Sequence, residues 1–178
     1  MSCRTVHTAD LDAATLAAAR ALLVDAFAGE FEPDDWEHCL GGVHALAWDE
    51  EEGSLVGHGA VVQRRLLHGG RALRAGYVEG VGVRADRRGR GVGSAVMAAL
   101  ERVIRGAYDL GALGTTEAAR ALYVARGWQQ WRGPLSALTP EGVVRTRDEE
   151  GGVYVLPVAV PLDLSGALVC DWRDGDVW

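Results

Sequence analysis

Arg88-Gly89-Arg90-Gly91-Val92-Gly93-Ser94 is the stretch on which the reading of this chain turns. Its alternating glycines let the backbone turn N–H groups to one side, which makes a concave nest for an anion. The apolar positions that follow (Val92, Val96, Leu100, Val103 and Ala107) are spaced by four and three, the stripe of an amphipathic helix. The start of that helix adds its positive end, and Arg88 and Arg90 add full charge. The ligand such a feature suits is a phosphate or pyrophosphate.

Three readings of the loop compete. A Walker-type loop requires Gly-Lys-Ser/Thr at its end, and no Lys stands there. A dinucleotide fingerprint requires the loop after the first strand of a βαβ unit, whereas here it follows the fourth. A tight strand-to-helix turn with incidental arginines is the remaining alternative.

Working outward, residues 6–8 read as a first strand. Residues 11–27 read as a helix, Ala- and Leu-rich, with Thr8 or Asp10 as cap. Pro33 opens a short second helix through Trp36 and Leu40, stopped by Gly41-Gly42. Strands are expected at 43–48, 55–67 and 72–83, with Gly69-Gly70 turning the last pair. After the loop helix come a buried strand at 110–113 and a helix at 117–126 ended by Gly127. Strands at 128–131 and 153–160 complete the sheet. A meander feeding a βαβ crossover predicts a mixed sheet with helices on both faces, α/β or α+β, and not a doubly wound parallel one. Without repeats or a linker-like tract, one domain over residues 1–178 is the simplest organisation.

The chain is 48% hydrophobic over 178 residues, enough for a core without staples. No signal peptide and no run of about 18 apolar residues is visible, so neither export nor membrane insertion is expected. Cys3, Cys39 and Cys170 are widely separated and lack metal-ligand or disulfide spacing, which fits a reducing cytoplasm and no metal. The formal charge of −7 disfavours nucleic acid as a partner. Acids crowd residues 30–37, 49–52 and 148–150, with Asp171, Asp174 and Asp176 near the carboxylate of Trp178. The 49–52 group reads as a solvated turn. The others are candidate cation sites.

The loop, together with Val81-Gly82-Val83 before it, resembles the Gln/Arg-x-x-Gly-x-Gly/Ala acetyl-CoA signature of the GNAT N-acetyltransferase superfamily, and the strand order matches that fold across nearly the whole chain. The resemblance implies that Arg88, Gly89, Arg90, Gly91, Val92 and Gly93 hold the pyrophosphate. It further implies that pantetheine runs beside Val81, Gly82 and Val83, in a sheet splayed between its fourth and fifth strands. More dispersed stretches (Ala26 to Phe31, Asp35-Trp36-Glu37-His38, Leu40 to His44, Gly76 to Gly80, and Cys170 to the terminal Trp178) are similar to the aminoglycoside 2′-N-acetyltransferases. Position by position, that similarity implies drug contacts from Glu30, Asp35, Glu79, Gly80, Gly114, Asp148, Glu149, Asp176 and the carboxylate of Trp178. The chain departs from the family where Glu30 stands for Asp and where Gly114 with Thr115-Thr116 replaces Ser-rich sequence. A homodimer is common among similar proteins.

The ligand class has independent physical support. An aminoglycoside carries several ammonium groups at neutral pH. Each close charge pair contributes about 1 kcal/mol in water and about 4 kcal/mol at an effective dielectric near 20. Acetyl transfer needs a neutral amine, a polarised thioester carbonyl and a protonated leaving sulfur. Glu79 is the expected base, acting through water or else merely holding substrate. A backbone N–H near residues 81–83 would polarise the carbonyl. Tyr123, in Ala121-Leu122-Tyr123, stands where many members of the superfamily keep a sulfur-facing Tyr; the alternative is a core aromatic. Other outcomes left open are a different amine substrate and a catalytically silent acetyl-CoA sensor.

Overall fold

A computed structural model describes residues 1–178. In chain order it has β1 (Ser2–His7), α1 (Ala13–Ala26), α2 (Pro33–Cys39), β2 (Val43–Asp49), β3 (Ser54–His68), β4 (Arg71–Val83), α3 (Val92–Ala107), β5 (Leu110–Gly114) and α4 (Arg120–Val124). There follow β6 (Gln129–Gln130), β7 (Leu135–Thr139), β8 (Gly142–Arg145), β9 (Val153–Pro157) and β10 (Leu168–Cys170). The chain forms two compact units, Met1–Val62 with Val78–Val103, and Gln63–Tyr77 with Ile104–Trp178, so that β3, β4 and α3 each run through both.

In the first unit β1, β2 and β3 pair antiparallel, from Ser2 opposite Trp48 to Val43 opposite Val61. Successive β3 residues point to opposite faces. Gly57 and Gly59 lie under α3, where an added Cβ would meet Val92 at 2.6 Å and Val96 at 2.8 Å. His58 between them faces Trp36 of α2. Helices therefore cover both faces. On the α1–α2 side, Ala19, Leu22, Leu23, Trp36 and Cys39 pack with Leu46, Leu55 and Ala60. Gly82 admits α1 there, since a Cβ would sit 2.8 Å from Leu23.

Local signals explain most boundaries and correct some expectations. The cap of α1 is Asp12, whose carboxylate accepts from Thr15 N at 2.7 Å, because Thr8–Asp10 close a 3-10 turn of their own. Pro33 opens α2 behind a Glu32–Asp35 capping box, and Gly41 ends it at φ +78°. The buried stripe of α3 steps through Val92, Val96, Leu100 and Ile104, so Val103 is only half-buried and Ala107 is exposed. Helix α4 is shorter than 117–126: Ala119 offers its first turn no side-chain cap.

In the second unit β4 pairs parallel with β5, β5 antiparallel with β9, and β9 antiparallel with β6. The end of β3 pairs with β10, which runs parallel to β7, and β7 pairs with β8. The sheet is mixed, as expected. Pairing of β4 with β5 covers only Ala75–Tyr77 against Leu110–Ala112, although β4 runs on to Val83. The ladder therefore ends well before the strand does. Strands β7, β8 and β10 are additions to the sequence reading.

Candidate active site

The expected anion loop leaves β4 at Val83 and enters α3 at Val92. Gly89 and Gly91 adopt φ +71° and +83°, with open space where a Cβ would stand. Ala95 N bonds Gly91 O at the start of α3, and the N–H groups that open a helix have no acceptor within its own ladder. Backbone donors, left-handed glycines and an unfilled rim fit a phosphate-bearing ligand.

The arginines divide their work. Arg84 pairs with Glu52 at 2.8 Å and Asp86 at 2.7 Å, while Arg87 pairs with Asp49 at 2.8 Å and also with Glu52. The 49–52 turn, read from sequence as merely solvated, thus ties down the base of the loop. Arg88 donates to Val83 O at 3.3 Å and Ala26 O at 2.8 Å, fastening the loop to the end of α1. Arg90 is exposed on the rim.

Glu79 is half-buried on β4, next to Gly80 at φ +53°. A Cβ at Gly80 would meet Cys39 Sγ at 2.6 Å and Leu23 at 3.0 Å. That close approach brings the end of α2 beside Glu79 and Gly80. Asp35, one turn back along α2, spends one carboxylate oxygen on Glu32 N at 2.8 Å and keeps the other. Glu30 is exposed in the linker after Ala28 and Gly29, both at positive φ.

In the second unit the structure gathers residues remote in sequence. Trp178 is buried, its indole donating to Thr146 Oγ1 at 2.8 Å. A Cβ at Gly114 would stand 3.3 Å from the terminal carboxyl carbon, so glycine there admits the chain end. Glu149 holds its proton more tightly than an ordinary carboxyl, first through burial and then through the charges of Asp176 and Asp148. Asp148 and Asp176 thus lie near enough for their charges to act on Glu149, and Asp176 also accepts from Trp178 N at 3.3 Å. Glu150 turns away to Arg145.

Arg64 was not singled out by sequence, yet it organises this region. It is 4% exposed and donates to Asp171 Oδ1 at 2.7 Å, Asp171 O at 2.8 Å and Val177 O at 2.8 Å, with its guanidinium 4.6 Å from the Tyr77 ring centre. Asp171, expected among the cation-site acids, is committed to this clamp. The only sequence signal was an Arg at an inward position of a strand.

Tyr123 is buried, with an edge contact to Trp128 at 6.2 Å. Burial pushes its phenol up to about 12. Cys39 is buried, and burial pushes the Cys170 thiol up to about 11, so neither is poised as a nucleophile.

A signature loop of this form, on a mixed sheet whose parallel ladder stops early, finds its match among known proteins. The acetyltransferase (GNAT) domain family matches residues 7–131. The chain belongs to the GNAT acetyltransferase family. An aminoglycoside 2′-N-acetyltransferase of Mycolicibacterium fortuitum is 53% identical over 98% of this chain and 91% of its own length. The fold recurs in the GNAT N-acetyltransferase YhbS of Escherichia coli, solved in complex with CoA, at TM-score 0.66 and 16% identity over 97% of this chain and 89% of that one. It also recurs in Eis1 of Mycobacterium abscessus, at TM-score 0.63 and 19% identity, where 76% of this chain spans 34% of the other. Members of this GNAT family use acetyl-CoA. No helix here is long and apolar enough to cross a membrane.

Proposed function

We propose that this GNAT protein transfers the acetyl group of acetyl-CoA to the 2′-amino group of aminoglycosides, in the cytoplasm and as a homodimer. The observation that carries the substrate class is the convergence of Asp148, Glu149 and Asp176 in the region where Trp178 ends the chain beside Gly114. Like charges held together raise one another's proton affinity, and a polycation relieves that repulsion on binding. The 53% identical relative named for this activity supports the same reading.

Acetyl-CoA, when bound, supplies the activated acetyl thioester. The amides of Gly89, Arg90, Gly91, Val92 and Gly93 with Arg88 and Arg90 hold its pyrophosphate, and Val81, Gly82 and Val83 present backbone groups to its pantetheine. An aliphatic amine with pKa near 10 is only about 0.1% neutral at pH 7, so its proton must leave first. Glu79 accepts it through a water and also helps hold the drug. A backbone N–H from residues 81–83 donates to the thioester oxygen as charge develops there. Tyr123 is the residue that would meet the thioester sulfur. With its phenol near 12, full transfer to a thiolate whose conjugate acid ionises near 8.5 runs uphill by about 5 kcal/mol. Tyr123 therefore serves by donating a hydrogen bond to the departing sulfur. Glu30, Asp35, Gly80, Gly114, Asp148, Glu149, Asp176 and the Trp178 carboxylate make the remaining drug contacts.

Purified protein with acetyl-CoA and a 2′-amino aminoglycoside is expected to release CoA thiol and yield a 2′-N-acetyl product by NMR. Thiol release with simple polyamines or peptide amines, and none with 2′-amino drugs, moves the assignment to another amine.

A further inference from the structure

Three side chains given no role above form a hydrogen-bonded chain inside the first unit. Thr8 Oγ1 lies 2.8 Å from His44 Nε2, His44 Nδ1 lies 2.9 Å from His58 Nε2, and His58 Nδ1 lies 2.8 Å from the carbonyl oxygen of Gly80. Both imidazoles are wholly buried, and the Trp36 ring stands against both, with centroids 6.3 and 6.1 Å away. At its outer end Thr8 Oγ1 accepts from Gly41 N at 3.0 Å, so the loop after α2 anchors the chain.

The direction of every donor follows from the last acceptor. A carbonyl only accepts, so His58 Nδ1 carries a hydrogen. The Nε2 of neutral His58 then accepts, His44 Nδ1 donates to it, and His44 Nε2 at 2.8 Å takes the single Thr8 hydroxyl hydrogen ahead of the Gly42 carbonyl oxygen at 3.2 Å. Burial holds both rings neutral, each pushed down to about 4. His7 adds to the effect on His44, while at His58 the Gly80 bond opposes it and His44 adds to it. The rings therefore keep these tautomers throughout the neutral range.

A proton cannot pass along this line, because it ends on an amide carbonyl that has no proton to hand on. What such a line does is hold that carbonyl still. Gly80 adopts φ +53° inside β4 near its C-terminal end, where an extended strand residue is the rule, and a strand residue so placed re-aims its neighbours. Those neighbours are Glu79 and Val81. We propose that Thr8, His44 and His58 are positioning residues that clamp the Gly80 carbonyl and thereby set the direction of the Glu79 carboxylate and the Val81 N–H. This rests on the reading of Glu79 as the acetyl-transfer base.

Two substitutions separate positioning from mere packing. The amide nitrogen of Asn superposes on Nδ1, so His58→Asn keeps the bond to Gly80 and loses the one to His44. The amide oxygen of Gln can stand at the place of Nε2 and accept from His44 Nδ1, so His58→Gln keeps that bond and loses the one to Gly80 instead. Each variant forfeits one buried bond, and their thermal midpoints should fall alike. Positioning expects kcat to fall about thirtyfold in His58→Gln but no more than about threefold in His58→Asn. Equal losses of kcat, or full kcat in His58→Gln, overturn it. Imidazole 15N NMR of the wild-type protein is a second arm, independent of whether the variants fold. Both rings should show Nδ1–H from about pH 6 to about pH 9, and an Nε2–H tautomer at His58 overturns the chain. Turnover is measured on whichever amine the wild-type enzyme accepts, so loss of the aminoglycoside assignment is seen separately.

Discussion

The anion loop of the first unit comes from one continuous segment, residues 84–93, whose backbone supplies most of the donors. The acidic region of the second unit instead draws on Gly114, Thr146, Asp148, Glu149, Asp176 and Trp178, and is held by Arg64 and Asp171 from opposite ends of that unit's sequence. The proposed role of the first, holding an anion, falls to amides that any sequence carries, once glycines let them turn. The proposed role of the second, holding a polycation, falls to side chains that keep like charges together against their repulsion. A site made from backbone is fixed by local conformation, whereas a site made from converging carboxylates needs a scaffold that resists it. Arg64 is the centre of that scaffold.

The largest effect expected is therefore from Arg64→Leu. It removes three donors and leaves Asp171 without its buried partner, at a cost of about 2 to 4 kcal/mol. With the tail released, KM for the drug should rise at least about tenfold while KM for acetyl-CoA stays put, which follows from about 1.4 kcal/mol of lost binding. Steady-state kinetics and a thermal melt check both halves. An equal rise in both KM values breaks the contrast between the two regions.

Gly91→Ala probes the other side. An alanine at φ +83° costs about 1 to 2 kcal/mol of backbone strain and tilts the amides. Acetyl-CoA affinity by calorimetry should fall about tenfold with drug affinity unchanged. The smallest effect sharpens the comparison through its sign. Glu149 binds its proton more tightly in the folded chain than an ordinary carboxyl does, so its ionised form opposes folding. That penalty is absent below the unfolded-state value and complete once pH passes the folded one. Glu149→Gln should accordingly raise the melting temperature of the drug-free protein slightly at pH 7 and leave it unchanged at low pH, while weakening drug binding. A lower melting temperature at pH 7 would show that Glu149 is held by favourable partners.

Strands β2 to β5 and the loop helix were legible because each is dictated by residues within a few positions. Alternation marks the strands, glycine punctuation marks their ends, and a four-and-three stripe marks α3. The one-residue drift of that stripe to Ile104 is the difference between even spacing and the true face of the helix. Strands β7, β8 and β10 were not legible. Leu168–Cys170 is too short to display a period, and becomes a strand because Leu66 and Leu67 of β3 and Leu135, Ser136 and Ala137 of β7 stand ready to pair with it. Helix α4 was overestimated because good helix formers continue where no cap does.

Taken alone, the amino-acid order determined the mixed sheet, the phosphate-type loop and the surplus of acids, since turn chemistry, periodicity and net charge are short-range or summed properties. Tertiary structure alone decided which acids face one another, which are spent on arginines, and which histidines meet at Gly80. Those outcomes depend on contacts between residues up to 113 positions apart, as between Arg64 and Val177, and no local pattern encodes a pairing that only folding creates.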